Sequence, residues 1–269
     1  MPVSSGTDDR PFVALMFGDL VGSPGFGAFL SALPALVAEH GADFVVVNAE
    51  NAASDGLGLL PGQVSDLLGA GVDVITTGNH IWEKKEILPL LASEARLLRP
   101  DNYPSGLPGT GLAVVTARSG DRVAVVNLQG RTRLAIIDDP FPRAKELVAR
   151  AKAEAALIFV DFHAEAPDEK EAFGFWLDGL VTAVVGTHTH VATADERLLP
   201  AGTAYLSDLG MCGPEGSVIG GDPQISLERS LTLVPLRSEI LEAPGRVRGV
   251  VIRADRNTGL ARSIVRLER

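Results

Sequence analysis

Cysteine is nearly absent: Cys212 is the only one in 269 residues. An internal disulfide framework is thereby excluded, and a reducing compartment fits. No apolar run reaches the roughly 18 residues that a membrane span needs. The polar stretch Met1–Arg10 has no apolar segment of the kind that forms a signal peptide. Together these absences point to a cytoplasmic protein with no membrane partner. Basic clusters are scarce too, limited to small groups such as Lys84-Lys85 and Arg131/Arg133 within a formal net charge of −10. Proteins that track long nucleic acid carry a basic face or stripe, so a long duplex is excluded as partner. A phosphate-bearing substrate would have to be met by local charge, and bound cations are the simplest source. What remains is globular: 46% hydrophobic and 22% charged.

Apolar runs alternate with helical patterns from Val13 to about Asp208, the signature of an α/β fold. Helices are expected at Gly25–Glu39, Pro61–Leu68, Glu83–Leu91, Pro140–Ala155 and Asp168–Leu177. Pro61 suits a first turn and Asp168 a cap. Leu112–Thr116 and Arg122–Asn127 read as a β-hairpin around Ala117–Asp121. A Gly/Pro-rich loop from Asp208 to Pro223 precedes a short helix. An antiparallel pair, Val247–Ala254 and Ser263–Leu267, closes the chain. With no internal repeat or linker, residues 11–269 are expected to form one domain behind a flexible N-terminus, 1–10.

Four of the five histidines follow strand-like runs. Asp19 comes after Val13–Phe17, Glu50 and Asn51 after Phe44–Val47, and Asn79-His80 after Val72–Thr77. His163 follows Leu157–Phe162, and His188 and His190 follow Val181–Val185. Ligands bind at the carboxyl ends of strands in α/β proteins. Carboxylate, amide carbonyl and imidazole donors suit divalent metals, so these positions read as a binuclear site. His188 and His190, two apart on an extended segment, would face opposite ways unless a turn brings both inward. Paired ions roughly 3.5–4 Å apart can generate a hydroxide nucleophile and clamp the oxygens of an in-line displacement at phosphorus.

Gly18-Asp19, Gly78-Asn79-His80, a lone His163 and Gly186-Thr187-His188-Thr189-His190 resemble the calcineurin-like metallophosphoesterases. The fuller strings from Gly18 to Gly25, Asn48 to Ala52, Asn127 to Arg131 and Asp161 to Glu165 look like the bacterial YmdB family of that superfamily. The resemblance runs from about Phe12 to the C-terminus. It implies a four-layer αββα sandwich with two mixed β-sheets, a dinuclear centre and phosphodiesterase activity that includes 2′,3′-cyclic nucleotides. It also implies Asp19, Glu50, Asn51, Asn79, His163, His188 and His190 as metal ligands, with Glu50 bridging and His80 as the general acid. Three departures from the broader superfamily stand out, the first being Glu50 where the bridging carboxylate is usually the aspartate of a Gly-Asp motif. Val21 occupies the histidine position of its Asp-x-His motif, a place that Asn51 would fill. Ile81 follows Gly-Asn-His where an acid is usual, leaving Glu83 or Asp208 to support His80.

The implied cofactors are two divalent or trivalent ions, iron or manganese ahead of zinc. Expected partners are a small phosphodiester or cyclic nucleotide, RNA ends as a further class, and a second copy of the chain in a homo-oligomer. Two alternatives stay open: a phosphomonoesterase, and a regulatory protein that binds nucleotides or RNA ends with incidental hydrolysis. Arg131 and Lys84 are candidates for holding phosphate or ordinary solvated surface. Trp82 could stack on a base or pack in the core. Asp208 could orient a ligand histidine or cap a loop. Cys212 has no base beside it and reads as an unreactive thiol, and His40 as a helix-end residue.

Overall fold

The computed structural model describes residues 10–269; the N-terminal stretch expected to be flexible lies outside the described residues, apart from Arg10. Among the described residues, fourteen strands and six α-helices alternate. The first strands are β1 (Phe12–Phe17), β2 (Asp19–Leu20), β3 (Phe44–Asn48) and β4 (Val74–Thr76). They are interleaved with α1 (Gly22–His40) and α2 (Pro61–Gly69), and α3 (Leu88–Ser93) follows. Next come β5 (Leu112–Thr116), β6 (Arg122–Gln129), α4 (Pro140–Lys152), β7 (Leu157–His163), α5 (Pro167–Trp176) and β8 (Ala183–Thr187). The remainder comprises β9 (Arg197–Leu198), β10 (Ala204–Leu206), β11 (Met211–Pro214), α6 (Pro223–Thr232), β12 (Gly245–Arg246), β13 (Arg248–Ala254) and β14 (Ala261–Glu268).

Two large mixed sheets result, ordered β14-β13-β1-β3-β4 and β5-β6-β7-β8-β10-β9, with a small third one, β12-β11-β2. The strand period of two decides how they pack. Phe12, Ala14 and Met16 of β1 meet Val123, Val125, Leu157 and Phe159 of the other large sheet in one apolar cluster. The alternate residues Val13, Leu15 and Phe17 join Phe29, Leu33 and Leu36 of α1 in a second. On the far side, Ile158, Val160 and Phe162 pack with Ala144, Leu147, Val148 and Ala151 of α4, spaced as one helix face requires. Strands β1, β3 and β4 run parallel in one sheet and β6, β7, β8 and β10 in the other. Their carboxyl ends carry the residues discussed below. Among the described residues no helix is long and apolar enough to cross a membrane.

Several expected boundaries shift for identifiable reasons. The helix over Glu83–Leu91 is replaced by two 3-10 turns, Asn79–Trp82 and Lys85–Ile87, and by α3, which has Pro89 in its first turn. Proline lacks the N–H that a helix interior uses, so α3 can only begin there. Asp168 does not cap α5: Ala166 holds that position, and Asp168 sits in the first turn, where its charge favours the dipole. The loop from Asp208 to Pro223 contains β11, because Met211 and Cys212 pair in parallel with Asp19 and Leu20.

Candidate metal centre

Each candidate ligand leaves its strand at the point where backbone pairing ends. Gly18 packs against Gly210, leaving no room for a side chain, and the Asp19 amide then donates to the Gly210 carbonyl at 3.2 Å. Beyond β3, the Asn48 side-chain oxygen accepts from the Glu50 amide at 3.1 Å and turns the carboxylate inward. Asn79 and His80 open the 3-10 turn after β4. His163 is the last residue of β7, and His188 follows β8 directly.

The His163 ring is the hub. Its Nε2 lies 3.0 Å from Glu50 Oε1, 3.1 Å from Asn79 Oδ1 and 3.1 Å from His188 Nδ1. Donor atoms of Glu50, His163 and His188 all lie within 4.8 Å of one another. Beside them His190 Nε2 is 3.3 Å from Asn51 Oδ1, while Asp19 Oδ2 accepts from the His188 amide at 3.1 Å. Val21 and Asn51 form an isolated parallel bridge, which sets Asn51 beside the position it was expected to replace. Contacts thus join Asp19, Glu50, Asn79, His163 and His188 around one ring, and His190 and Asn51 form a separate contacting pair.

The turn that His188 and His190 need is present. Both adopt positive φ, 100° and 63°, a conformation that costs energy for a side chain of this kind. Thr189 between them holds it, donating to Asp208 Oδ2 from its amide at 3.2 Å and from its hydroxyl at 2.7 Å. The same carboxylate oxygen accepts from Lys170 Nζ at 2.6 Å, and both side chains are buried. Asp208 thus acts on the histidine pair through Thr189 and is not directed at His80.

The donor set fits cations on an independent ground. Asp19 Oδ1 is buried without a hydrogen-bond partner, and Glu50 Oε1 faces only the His163 ring nitrogen at 3.0 Å; a positive ion relieves such an arrangement. The electrostatics agree. Burial pushes the Asp19 carboxyl up to about 6, partly opposed by His190 and His163. Burial acts the same way on Glu50, but His163 and His80 outweigh it and hold the group down at about 2. Burial would lower His163, yet Glu50 and then Asp19 lift it to about 9. His188, buried and beside that positive ring, falls to about 3.

Several supporting residues had not been singled out. Asp161 Oδ1 accepts from the Thr187 hydroxyl at 2.7 Å, and Thr187 Oγ1 lies 2.9 Å from His163 Nδ1. With its proton committed to Asp161, Thr187 can only accept, so His163 carries N–H on Nδ1 and turns Nε2 toward Glu50 and Asn79. Asn48 Nδ2, at 3.1 Å, and Thr76 complete the shell around Asp161. A carboxylate inside the apolar run Leu157–Phe162 was the available signal, since such a group needs partners. Glu165 Oε2 is 3.2 Å from His188 Nε2.

His80 stands at the rim. Its amide donates to Glu50 Oε2 at 2.9 Å, its Nδ1 has no hydrogen-bond partner, and Glu83 lies 3.8 Å away. His80, His190 and Asn51 line one cavity of about 290 Å³. Lys84 pairs with Asp55 at 2.7 Å and Arg131 with Asp139 at 2.9 Å. Trp82 packs edge-on against Tyr103, ring centres 5.2 Å apart, at the margin of the core. Cys212 is buried, and burial pushes its thiol up to about 12.

Comparison with known proteins agrees with this geometry. The family model described as "YmdB-like protein" matches residues 15–267. The chain belongs to the YmdB-like family. A 2′,3′-cyclic-nucleotide 2′-phosphodiesterase of Bacillus subtilis (strain 168) is 46% identical over 253 residues, 94% of this chain and 95% of that protein. Among solved structures, a phosphatase from Mycoplasma pneumoniae superposes with a TM-score of 0.89 at 34% identity, covering 97% of this chain and 94% of that one. A hypothetical protein from Thermus thermophilus gives 0.88 at 36% identity, covering 96% and 99%.

Proposed function

We propose that this chain is a cytoplasmic, metal-dependent phosphodiesterase that hydrolyses 2′,3′-cyclic nucleotides, with RNA ends as a further partner class. The observation that carries the reading is the cluster of Glu50, His163, His188 and Asn79 beside the buried, partnerless Asp19 Oδ1, with the His190–Asn51 pair as the remaining candidate ligands. These residues would hold two ions, with Glu50 bridging; the mixed oxygen and nitrogen donors suit iron or manganese first and zinc next. When bound, such ions supply charge neutralisation at the phosphate and activation of water.

The chain's own residues do the rest. Asp161 and Thr187 fix the His163 ring, while Asp208 and Lys170 fix the turn that presents His188 and His190. His80 is the general acid: an imidazole can give up a proton near neutral pH to the departing alkoxide. Its amide bond to Glu50 ties it to the ligand shell, and its ring lines the adjoining cavity. The three apolar clusters support a four-layer αββα sandwich of the calcineurin-like type, read as one domain over residues 11–269. A homo-oligomer is the expected assembly.

His80→Ala tests the assignment. Metal content should stay unchanged while turnover of 2′,3′-cyclic AMP falls by roughly 10²–10⁴-fold, the range that a general acid contributes. Turnover within a fewfold of the unaltered chain would remove His80 from the chemistry.

A further inference from the structure

The segment between Gly221 and Ile240 stands out from the fold. Its base is a short antiparallel ladder: Gly221 bridges Ile240, the Asp222 amide donates to Glu239 O at 2.9 Å, and the Leu241 amide to Gly220 O at 3.0 Å. Ile240 seats that base against two glycines. A Cβ on Gly22 would come within 2.7 Å of Ile240 Cγ2, and one on Gly56 within 2.5 Å of Cδ1. The excursion beyond the ladder consists of α6, which buries none of its residues, and the return strand of chain to Ser238. The neighbouring Ile219 carbonyl lies 2.9 Å from His190 Nδ1, so the excursion's base touches the candidate ligand turn.

This excursion brings Arg229 and Arg237 to the wall of the cavity that holds His80, His190 and Asn51. Among the described residues, neither guanidinium has an ion pair or a side-chain hydrogen bond, whereas nearby Lys84 is held by Asp55. In a chain of net charge −10, two such cations facing one cavity create a local field against the overall sign. The scissile phosphate would be met by the ions that the candidate ligands would hold. A guanidinium fork matches phosphate geometry. The apolar lining, Val21, Leu57, Ile219 and Ile240, suits a ribose or base between the two charged ends.

We propose that Arg229 and Arg237 form a subsite for a second phosphate of the substrate, one carried on the 5′ oxygen of the nucleotide whose 2′,3′-cyclic phosphate is opened. The inference rests on the phosphodiesterase reading above. It makes the preferred substrate a 5′-phosphorylated cyclic nucleotide or the cyclic-phosphate end of an RNA strand, not a bare nucleoside cyclic phosphate.

The test compares three substrates on the metal-loaded full chain: adenosine 2′,3′-cyclic phosphate, its 5′-phosphorylated form, and a diadenosine dinucleotide ending in a 2′,3′-cyclic phosphate. The two 5′-phosphate-bearing substrates should show kcat/KM about tenfold higher, falling to within about twofold in R229Q/R237Q, with R229K/R237K keeping part of the preference. Raising salt should narrow the ratio, since the guanidiniums are exposed. Greater preference for the monoester identifies a free 5′-phosphate, and for the dinucleotide an RNA end. Equal kcat/KM for all three substrates, or a preference that survives R229Q/R237Q, overturns the subsite. Should none of the three turn over, the phosphodiesterase reading falls, and binding decides the subsite separately. Adenosine 3′,5′-bisphosphate should then bind about tenfold tighter than adenosine 3′-monophosphate in the wild type and equally in R229Q/R237Q; equal wild-type affinities overturn it.

Discussion

Replacing Asp208 by Asn isolates what holds the histidine turn. In the native chain Asp208 Oδ2 takes three donors: Lys170 Nζ at 2.6 Å, the Thr189 hydroxyl at 2.7 Å and the Thr189 amide at 3.2 Å. Asparagine removes the charge and offers only one acceptor oxygen. Lys170, itself buried, would keep the Thr187 carbonyl at 2.9 Å but lose its counter-ion. Breaking a buried pair from one side costs about 3–5 kcal/mol, which for a chain of this size lowers the melting midpoint by roughly 6–20 °C. Lys170→Met in the same chain removes the orphaned ammonium, so the double variant should melt above D208N. The positive φ values of His188 and His190 also lose their restraint, and D208N should hold less metal after dialysis. Thermal unfolding followed by circular dichroism, with metal content by mass spectrometry, reads both effects. A D208N protein melting within about 2 °C of the wild type with full metal content would refute the reasoning, because the buried pair would then contribute nothing.

Other outcomes follow from the same geometry. Gly78→Ala should abolish metal retention, because its Cβ would fall inside the His163 ring's contact distance and 2.5 Å from Glu50 Oε2; a metal-replete G78A would contradict this. Asn51→Ala should lower the bound-metal count toward one ion per chain, read by metal analysis after dialysis, if Asn51 fills the place left by Val21. Cys212 should resist a thiol reagent at pH 8 in the folded chain and react fully on unfolding, because burial raises its thiol to about 12 and leaves it neutral; rapid native labelling would contradict this burial.

How much could be read from the sequence depended on whether a residue's role was local. Asp19, Glu50, Asn79, His163 and His188 were legible because each ends an apolar run, and a strand's end fixes where the next side chain points. Pro61 and the hairpin around Ala117–Asp121 were legible for the same reason. Lys170 was not: it lies on a helix, 38 residues from Asp208, and nothing nearby in sequence marks a buried lysine. Strand β11 was hidden among glycines because its pairing with the two-residue β2 is long-range. The missed break at Pro89 differs in kind. Its signal was local and decisive, and the apolar spacing across Glu83–Leu91 obscured it.

Phosphodiester hydrolysis at a metal centre built from the candidate ligand side chains is open to direct measurement. Its most direct test is turnover of 2′,3′-cyclic AMP, a generic phosphodiester and its monoester analogue by metal-stripped protein, with and without added Mn²⁺ or Fe²⁺. The expected result is no activity without metal, and restored cleavage that favours the diesters. Cleavage of the monoester alone would move the activity to a phosphatase, and no turnover with either metal, despite two bound ions, would contradict the account.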